Sequence, residues 1–254
     1  NFPFRWAAEP DQNGAGAFAG SEPESRALIE AAVALPHLYA WLNLHTFGGC
    51  FIRPPGDVPD HKMDPLDLAI YKQVGEWAES ITGYPMVSGF EEFLYEPDKP
   101  LFGALSEWAY EHRATLSYVC ELWDLFARLG VPRPKRFVDY YTSLRREDIA
   151  KLAVWDREVN KSRIFVGWTK VSHPQLGEVE VGGTDRRVGL YNPPYELLSE
   201  VCDKQATLML RVATLLPQLV VTHSTKPARG GTRVTLTVEN HGYLGTYGVR
   251  GAQR

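Results

Sequence analysis

The fold of this chain is indicated by residues 21–45, SEPESRALIEAAVALPHLYAWLNLH. Ser21 with Glu24 three residues later predicts a capping box, and apolar residues then recur at helical spacing until Pro36. Residues 38–44 are short, apolar and aromatic, which is typical of a buried strand, and His45 follows at the carboxyl end. A helix, a short turn and a buried strand in succession predict an α/β fold.

The same kinds of pattern predict the other elements. Helices are expected from Asp64 to Gly83, around 104–112, near 146–160 and from Pro193 to Pro217. Strands are expected at 115–123, near 163–168 and 177–182, and in a hairpin of 219–222 with 233–238. Residues 48–63 are rich in Gly, Pro and Asp and predict a loop, and 84–100 predict an irregular aromatic stretch.

The composition excludes several function classes. The chain has 254 residues and a formal net charge of -4, so no basic field indicates nucleic acid. No apolar run approaches the roughly 20 residues of a membrane span, and none resembles a signal peptide. The three cysteines are far apart and form no Cys-x-x-Cys pair, which indicates a reduced protein without a disulfide framework. This cysteine usage favours the cytoplasm without deciding the compartment.

Two polar residues stand out because each adjoins an apolar strand. His45 ends one predicted strand, at the edge where ligands bind in open α/β sheets, although a structural histidine is the commoner case. Glu121 lies within another, and a buried ionised carboxylate must be paired, lie beside a metal or be protonated. A general acid or base fits such a site, and an ion pair with Arg113 is the structural alternative.

Other catalytic motifs are missing from the sequence. There is no Gly-x-Ser-x-Gly for a serine hydrolase, no phosphate-binding loop, and no His-x-x-Glu. A mononuclear catalytic zinc needs three protein ligands, and the residues alone do not supply them. The remaining histidines are scattered, and His173 is interpreted as a loop residue beside a proline.

Several short motifs occur in an order that resembles the zinc carboxypeptidases related to carboxypeptidase A. The motifs are Asn1-Phe2-Pro3, Leu42-Asn43-Leu44-His45-Thr46, Glu107-Trp108-Ala109-Tyr110, Ser117-Tyr118-Val119-Cys120-Glu121-Leu122, and the long helix after Pro193-Pro194. The resemblance covers roughly residues 1–130 and 190–217. It implies a mixed, largely parallel sheet flanked by helices, with an insertion at about 132–192 that is longer than in the digestive enzymes.

The resemblance also implies the site and its chemistry. His45 corresponds to the family's third zinc ligand and Glu121 to its catalytic glutamate. Tyr95 is the candidate for the mobile tyrosine over the substrate, with simple packing as the alternative. Ser106 and Val119 correspond to positions near the specificity pocket, and since neither is charged, they favour a neutral or apolar side chain. The substrate would be a peptide or an acylated amino acid, with no nucleic acid or membrane partner.

Parts of the family pattern are absent. The His-x-x-Glu with the other two zinc ligands, and the Arg that grips a terminal carboxylate, would lie before Asn1. We therefore expect residues 1–254 alone to bind zinc poorly and to be inactive. Residues 1–217 are interpreted as the C-terminal part of a catalytic domain, and 218–254 as the truncated start of a small β-sandwich domain, as in bacterial members.

Three alternatives remain open at the level of sequence. They are a deacylase of the same fold, an amidase acting on cell-wall peptides, and a catalytically inactive binding module. Retention of both His45 and Glu121 argues against the inactive module, because loss of catalysis usually releases such costly residues.

Overall fold

A four-stranded mixed sheet forms the centre of the protein. The strands are β1 (Ala40–Thr46), β2 (Cys50–Arg53), β3 (Met86–Ser88) and β4 (Leu116–Leu122), in the order β1-β4-β2-β3. β1 runs parallel to β4 and β2 parallel to β3, whereas β2 and β4 are antiparallel. This computed structural model describes residues 1–97, 99–142 and 144–251. The prediction of a mixed α/β sheet flanked by helices is confirmed.

Helices cover both faces of this sheet. They are α1 (Pro23–Ala34), α2 (Pro65–Thr82), α3 (Leu105–Arg113), α4 (Leu125–Arg128), α5 (Arg146–Glu158) and α6 (Tyr195–Ala213). Side chains of β4 alternate between the faces, so Tyr118 and Cys120 join a core with α2 and α6. On the other face, Trp41 of β1 packs beside Trp108 of α3 and Ala32 of α1. The sheet is thus the middle layer of three.

Two strands of the sheet lie where the sequence predicts irregular structure. β2 falls inside the predicted loop 48–63, and β3 inside the irregular stretch 84–100. Each has only three or four residues, and Gly and Pro flank both, so neither has the length on which a strand pattern depends. The loop prediction is wrong for 50–53, where pairing with β4 and β3 overrides the local composition.

The start of α1 also differs from the prediction. Glu22 occupies the N-cap and makes no side-chain capping bond, so the expected capping box from Ser21 to Glu24 is absent. The Ser21 hydroxyl instead donates to the Glu22 carboxylate at 2.8 Å. Pro23 at the first helical position starts the helix with its fixed φ, and its missing N–H needs no cap.

β1 is less buried than its composition suggests. Its residues are half-buried over Ala40–Asn43 and exposed from Leu44 to Thr46. The reason is its place at the edge of the sheet, where β4 covers it on one side only. The prediction of a buried strand is wrong for β1, whereas β4, which lies between two neighbours, is largely buried.

The segment predicted as an insertion, about 132–192, packs beside the carboxyl end of β4. It contains a 3-10 helix (Phe137–Tyr141), α5, and a hairpin of β5 (Phe165–His173) with β6 (Gly177–Thr184). Leu152 and Ile164 form a buried cluster with Trp123 and Val201. Phe137 joins a second cluster with Cys50 and Phe126. The segment therefore contributes to the core as well as carrying an exposed hairpin.

The last part of the chain combines a projecting hairpin with a buried tail. β7 (Leu219–Ala228) and β8 (Gly231–Asn240) pair in register, and all their residues are exposed. After the hairpin, Leu244 and Val249 return to the core shared by α2 and α6. Arg250 N–H donates to the buried Asp67 carboxylate at 2.9 Å. The separate β-domain from 218 stays a prediction.

No helix in the described parts of the chain combines the length and the apolar character needed to cross a membrane.

Candidate active site

The two residues singled out in the sequence are direct neighbours across the sheet. His45 of β1 lies opposite Glu121 of β4 in the parallel register, one residue before each strand ends. Residues opposite each other in register direct their side chains to the same face. Gly48 and Gly49 donate to Trp123 O and Glu121 O, which fixes the turn after β1 against the end of β4. The site thus lies at the carboxyl edge of two parallel strands, where open α/β sheets bind ligands.

The His45–Glu121 pair is close and asymmetric in exposure. His45 Nδ1 lies 3.6 Å from Glu121 Oε1, with the His45 side chain 48% exposed and the Glu121 side chain 13% exposed. Glu121 Oε2 is buried and has no hydrogen-bond partner among the described residues. An unsatisfied buried carboxylate oxygen is rare in native proteins and indicates a ligand, an ion or water. Glu121 therefore has one oxygen available for chemistry.

Asn43 is a third polar residue at this site, which the sequence analysis did not single out. Its Nδ2 lies 2.9 Å from His45 Nε2. Strand periodicity could have identified Asn43, because residues two apart along a strand direct their side chains to the same face. With the amide turned so that Oδ1 accepts from Nε2–H, the lone pair of His45 lies on Nδ1, beside Glu121. Oxygen acceptors of this kind orient histidines that bind metals.

Arg113 does not pair with Glu121. Its Nη2 donates to Ala32 O of α1 at 3.2 Å. Arg113 lies before the start of β4 and Glu121 near its end, so the length of the strand, roughly 16 Å at about 3.3 Å per residue, separates them. The structural alternative for Glu121, an ion pair with this arginine, is wrong.

Tyr95, the candidate for the tyrosine over the substrate, lies on the surface. Its side chain packs edge-on against Phe93, with ring centroids 5.9 Å apart, and the residue is 63% exposed. Partial burial raises the pKa of the Tyr95 hydroxyl, and the negative charge of Glu121 raises it further. The structure therefore brings Tyr95 within electrostatic reach of Glu121 and leaves it on the surface.

Val119 and Ser106 occupy different surroundings. Val119 lies two residues before Glu121 on the same face of β4, between Asn43 and Ile52 of the neighbouring strands. Ser106 is buried on α3, and its hydroxyl donates to Glu107 Oε2 at 2.6 Å. Val119 is thus part of the surface that leads to Glu121, while the hydroxyl of Ser106 is committed to Glu107.

A buried acidic pair lies beside Ser106. Burial raises the pKa of Glu107, and the nearby Asp57 charge raises it further. The Ser106 hydrogen bond opposes this shift. Burial also raises the pKa of Asp57, although its ion pair with Arg5 opposes this. A Cβ on Gly56 would lie 2.9 Å from Glu107 Oε1, so only glycine fits there without displacing that carboxylate. Sequence reasoning noted Glu107 but missed Arg5 and Asp57, which no local pattern connects.

The residues able to bind a metal at this site are His45 and Glu121. Among the residues that the structure describes, no group of three or more His, Cys, Asp or Glu lies together so as to hold a metal ion. A histidine beside a carboxylate fits one metal ligand, His45, next to a general base, Glu121.

Comparison with known families and curated proteins gives no match for this chain.

Proposed function

We propose that this chain is the C-terminal part of a zinc-dependent metallocarboxypeptidase that hydrolyses C-terminal peptide bonds. The observation that carries the proposal is the pairing of His45 with Glu121 at the carboxyl ends of adjacent parallel strands, 3.6 Å apart. The motif order in the sequence supports it independently. The alternatives of a deacylase or a cell-wall peptide amidase would use the same pair.

The side chains at the site fit a zinc ion bound in part by this chain. His45 supplies Nδ1 when Asn43 accepts from Nε2, and the exposed side of His45 leaves room for further ligands. Under the proposal, the other two ligands and the Arg that binds a terminal carboxylate belong to a segment preceding Asn1. When bound, the zinc ion would polarise the scissile carbonyl and lower the pKa of its water.

Glu121 performs the proton transfers. Its buried Oε2, which has no hydrogen-bond partner among the described residues, accepts a proton from the attacking water and later donates it to the leaving amine. Low exposure of the side chain weakens competition from bulk water for that oxygen. Under the proposal, the exposed Tyr95 contacts the substrate, and Val119 contributes an apolar surface beside Glu121.

The test is hydrolysis by the protein expressed with the segment encoded before Asn1. Removing a general base usually costs 100- to 10,000-fold in rate, so Glu121→Gln is expected to lose at least about 100-fold in kcat while retaining zinc. His45→Ala is expected to lose zinc as well, as measured by elemental analysis after dialysis. Unchanged turnover in Glu121→Gln would contradict the mechanism, and a preceding segment without His-x-x-Glu would contradict the metal site.

Substrate choice separates the alternatives. A carboxypeptidase is expected to cleave a peptide with a free terminal carboxylate and to leave the same peptide uncut when that carboxylate is amidated. Cleavage of N-acyl amino acids alone would indicate the deacylase, and cleavage of cell-wall peptides alone would indicate the amidase. No turnover with intact zinc binding would indicate an inactive binding module.

A further inference from the structure

A small charged cavity lies between the end of α2, the short helix α4 and the middle of α6. Its volume is about 300 Å³. Gln205 of α6 lines it and contacts Cys120 of β4, whose side chain belongs to the core shared with α2 and α6. Successive strand residues face opposite sides of a sheet, so Glu121 points away from this cavity. The cavity is therefore separate from the candidate active site.

Two buried side chains in the cavity wall have donors without acceptors. Gln205 is 5% exposed; its Oε1 accepts from Cys120 Sγ at 3.6 Å, but its Nε2 has no acceptor among the described residues. Tyr84 is 9% exposed, and its Oη accepts from Trp123 N–H at 3.2 Å, while the hydroxyl proton has no described acceptor. Buried donors in native proteins nearly always have a partner. These two indicate that an oxygen-bearing group occupies the cavity.

Two cations at the mouth of the cavity share a single carboxylate oxygen. Arg128 Nη2 and Lys204 Nζ donate to Glu200 Oε1 at 2.9 and 2.8 Å, and all three side chains are at least one-third exposed. Exposed ion pairs of this kind contribute little to stability, because water and salt compete with them. An incoming anion can therefore displace Glu200, whose carboxylate marks the position between the two cations.

The remaining charges of the lining leave donors free and acceptors used. Arg133 Nη2 donates to Asp124 Oδ2 at 2.9 Å and to Gly83 O at 2.8 Å, while its Nη1 and Nε have no acceptor in the described part of the chain. Asp124 Oδ1 accepts from Ala127 N–H at 2.8 Å, so both oxygens of Asp124 are bonded. The lining contains three cations and two carboxylates. Its unused donors and its excess positive charge favour an anion over a cation.

We propose that this cavity binds a small oxyanion with two negative charges, of the class of phosphate and the dicarboxylates. The oxygens of the anion accept from Gln205 Nε2 and Tyr84 Oη in the buried wall. At the mouth, the anion replaces Glu200 between Arg128 and Lys204, the residue types that bind phosphate and carboxylate most strongly. Ligand pockets span roughly 300–1,000 Å³, so a cavity of about 300 Å³ fits a small ligand. The proposal does not depend on the hydrolase function, because it concerns the other face of the sheet.

The experiment is isothermal titration calorimetry of the 254-residue protein with inorganic phosphate and, separately, with malonate. Sodium chloride keeps the ionic strength constant, so that general screening does not change during the titration. At least one of the two anions is expected to saturate a single site with a Kd in the millimolar range or below. Tighter binding of phosphate would identify a phosphate site, and tighter binding of malonate a dicarboxylate site.

A variant of the buried wall tests the hydrogen bonds. Gln205→Met keeps the shape of the side chain and removes its amide, so binding is expected to weaken about tenfold, the effect of losing hydrogen bonds to a charged group. Circular dichroism of each variant shows whether the fold is retained.

Two exposed variants are expected to act in opposite directions. Lys204→Met should weaken binding about fivefold, the effect of losing one partly exposed charge pair, and Glu200→Gln should strengthen it about fivefold by removing the competing carboxylate. The matched controls are Lys226→Met on the exposed β7 and Glu196→Gln in the first turn of α6. Neither residue lines the cavity, so both controls should bind like the wild type.

Three results would overturn the proposal. One is the absence of saturable binding for both anions. Another is weaker or unchanged binding in Glu200→Gln, because Glu200 would then not compete with the anion. The third is an equal loss in Lys204→Met and Lys226→Met, which would show attraction to positive charge at any surface position. Since Glu200 and Lys204 are exposed, their variants decide the question even if Gln205→Met does not fold.

Discussion

The Glu121 carboxylate lies in surroundings that lower the stability of the fold. Its Oε1 faces a histidine that is half-exposed, and its Oε2 is buried without a hydrogen-bond partner among the described residues. Asp67 shows the opposite situation, since it is buried but accepts from Tyr110 Oη at 2.7 Å and from Arg250 N–H. A buried carboxylate whose desolvation no hydrogen bond compensates indicates a role other than stabilising the fold.

Replacing Glu121 with glutamine is therefore expected to leave the free energy of unfolding unchanged or to raise it by up to about 1 kcal/mol. The change removes a buried charge that no strong partner compensates. Urea unfolding of both proteins in the same buffer is the measurement.

Asp67→Asn is the matched comparison. It disturbs a buried carboxylate with good hydrogen bonds and is expected to lose about 1–3 kcal/mol. If Glu121→Gln lost as much as Asp67→Asn, Glu121 would be a structural residue and the functional interpretation would fail.

Glu107 predicts a pH dependence of stability. Burial raises its pKa above the ordinary value of about 4.3, so the fold favours the protonated acid. The stability that the protonated Glu107 contributes is fully present at pH values below the ordinary pKa. It is lost as the pH rises through the raised pKa. Glu107→Gln stays neutral, so relative to the wild type it should gain stability between pH 4 and 7. Urea titrations of both proteins at several pH values measure this, and a constant difference would contradict it.

At the scale of elements, α3 shows how a helix end is set by backbone conformation. α3 ends at Arg113, and Ala114 follows in the left-handed region with φ of 51°. Glycine is the usual residue there, because a Cβ costs roughly 1 kcal/mol. This conformation turns the chain from α3 into β4, the strand that carries Glu121.

Ala114→Gly is expected to stabilise the protein by roughly 0.5–1 kcal/mol, because it removes the left-handed penalty, while the methyl group lost is only partly buried. Ala109→Gly, inside the same helix and fully buried, should instead cost about 1 kcal/mol or more. Thermal unfolding followed by circular dichroism distinguishes the two. Destabilisation by Ala114→Gly would show that the Ala114 methyl contributes more to packing than its conformation costs.

At the scale of the whole molecule, residues 219–251 divide into an exposed hairpin and a tail that returns to the core. Leu219 and Asn240 are paired at the base of the hairpin. Asn240 also bonds to Gln218 and Leu244, which guides the chain back into the core. Val249 is fully buried, and its N–H donates to Ala114 O. The hairpin and the tail should therefore contribute very differently to stability.

Removing 220–239 and joining Leu219 to Asn240 through two glycines is expected to change Tm by no more than about 2–4 °C, equivalent to about 1 kcal/mol for a domain of this size. Val249→Asp buries an unpaired charge and should lower Tm far more. Differential scanning calorimetry measures both. A large loss of Tm on excision would show that the hairpin is part of the cooperative fold.

The sequence predicts the long elements and singles out His45 and Glu121 as candidate site residues. α2, α6 and β4 follow from periodicity and stop residues, since their patterns are long enough to be read locally. His45 and Glu121 were identified because a polar residue in an apolar strand needs a physical reason. Both inferences depend on residues that are close together along the chain.

Features that depend on distant residues are visible only in the folded protein. The tertiary structure showed β2 and β3 to be strands, because pairing with β4 and with each other stabilises segments too short to form alone. It placed β1 at the edge of the sheet, and it connected the exposed Arg5 with the buried Asp57 and Glu107. Strand register, sheet edges and buried charge networks depend on contacts between residues that are far apart in the sequence. No local pattern predicts them, because these contacts form only when the chain folds.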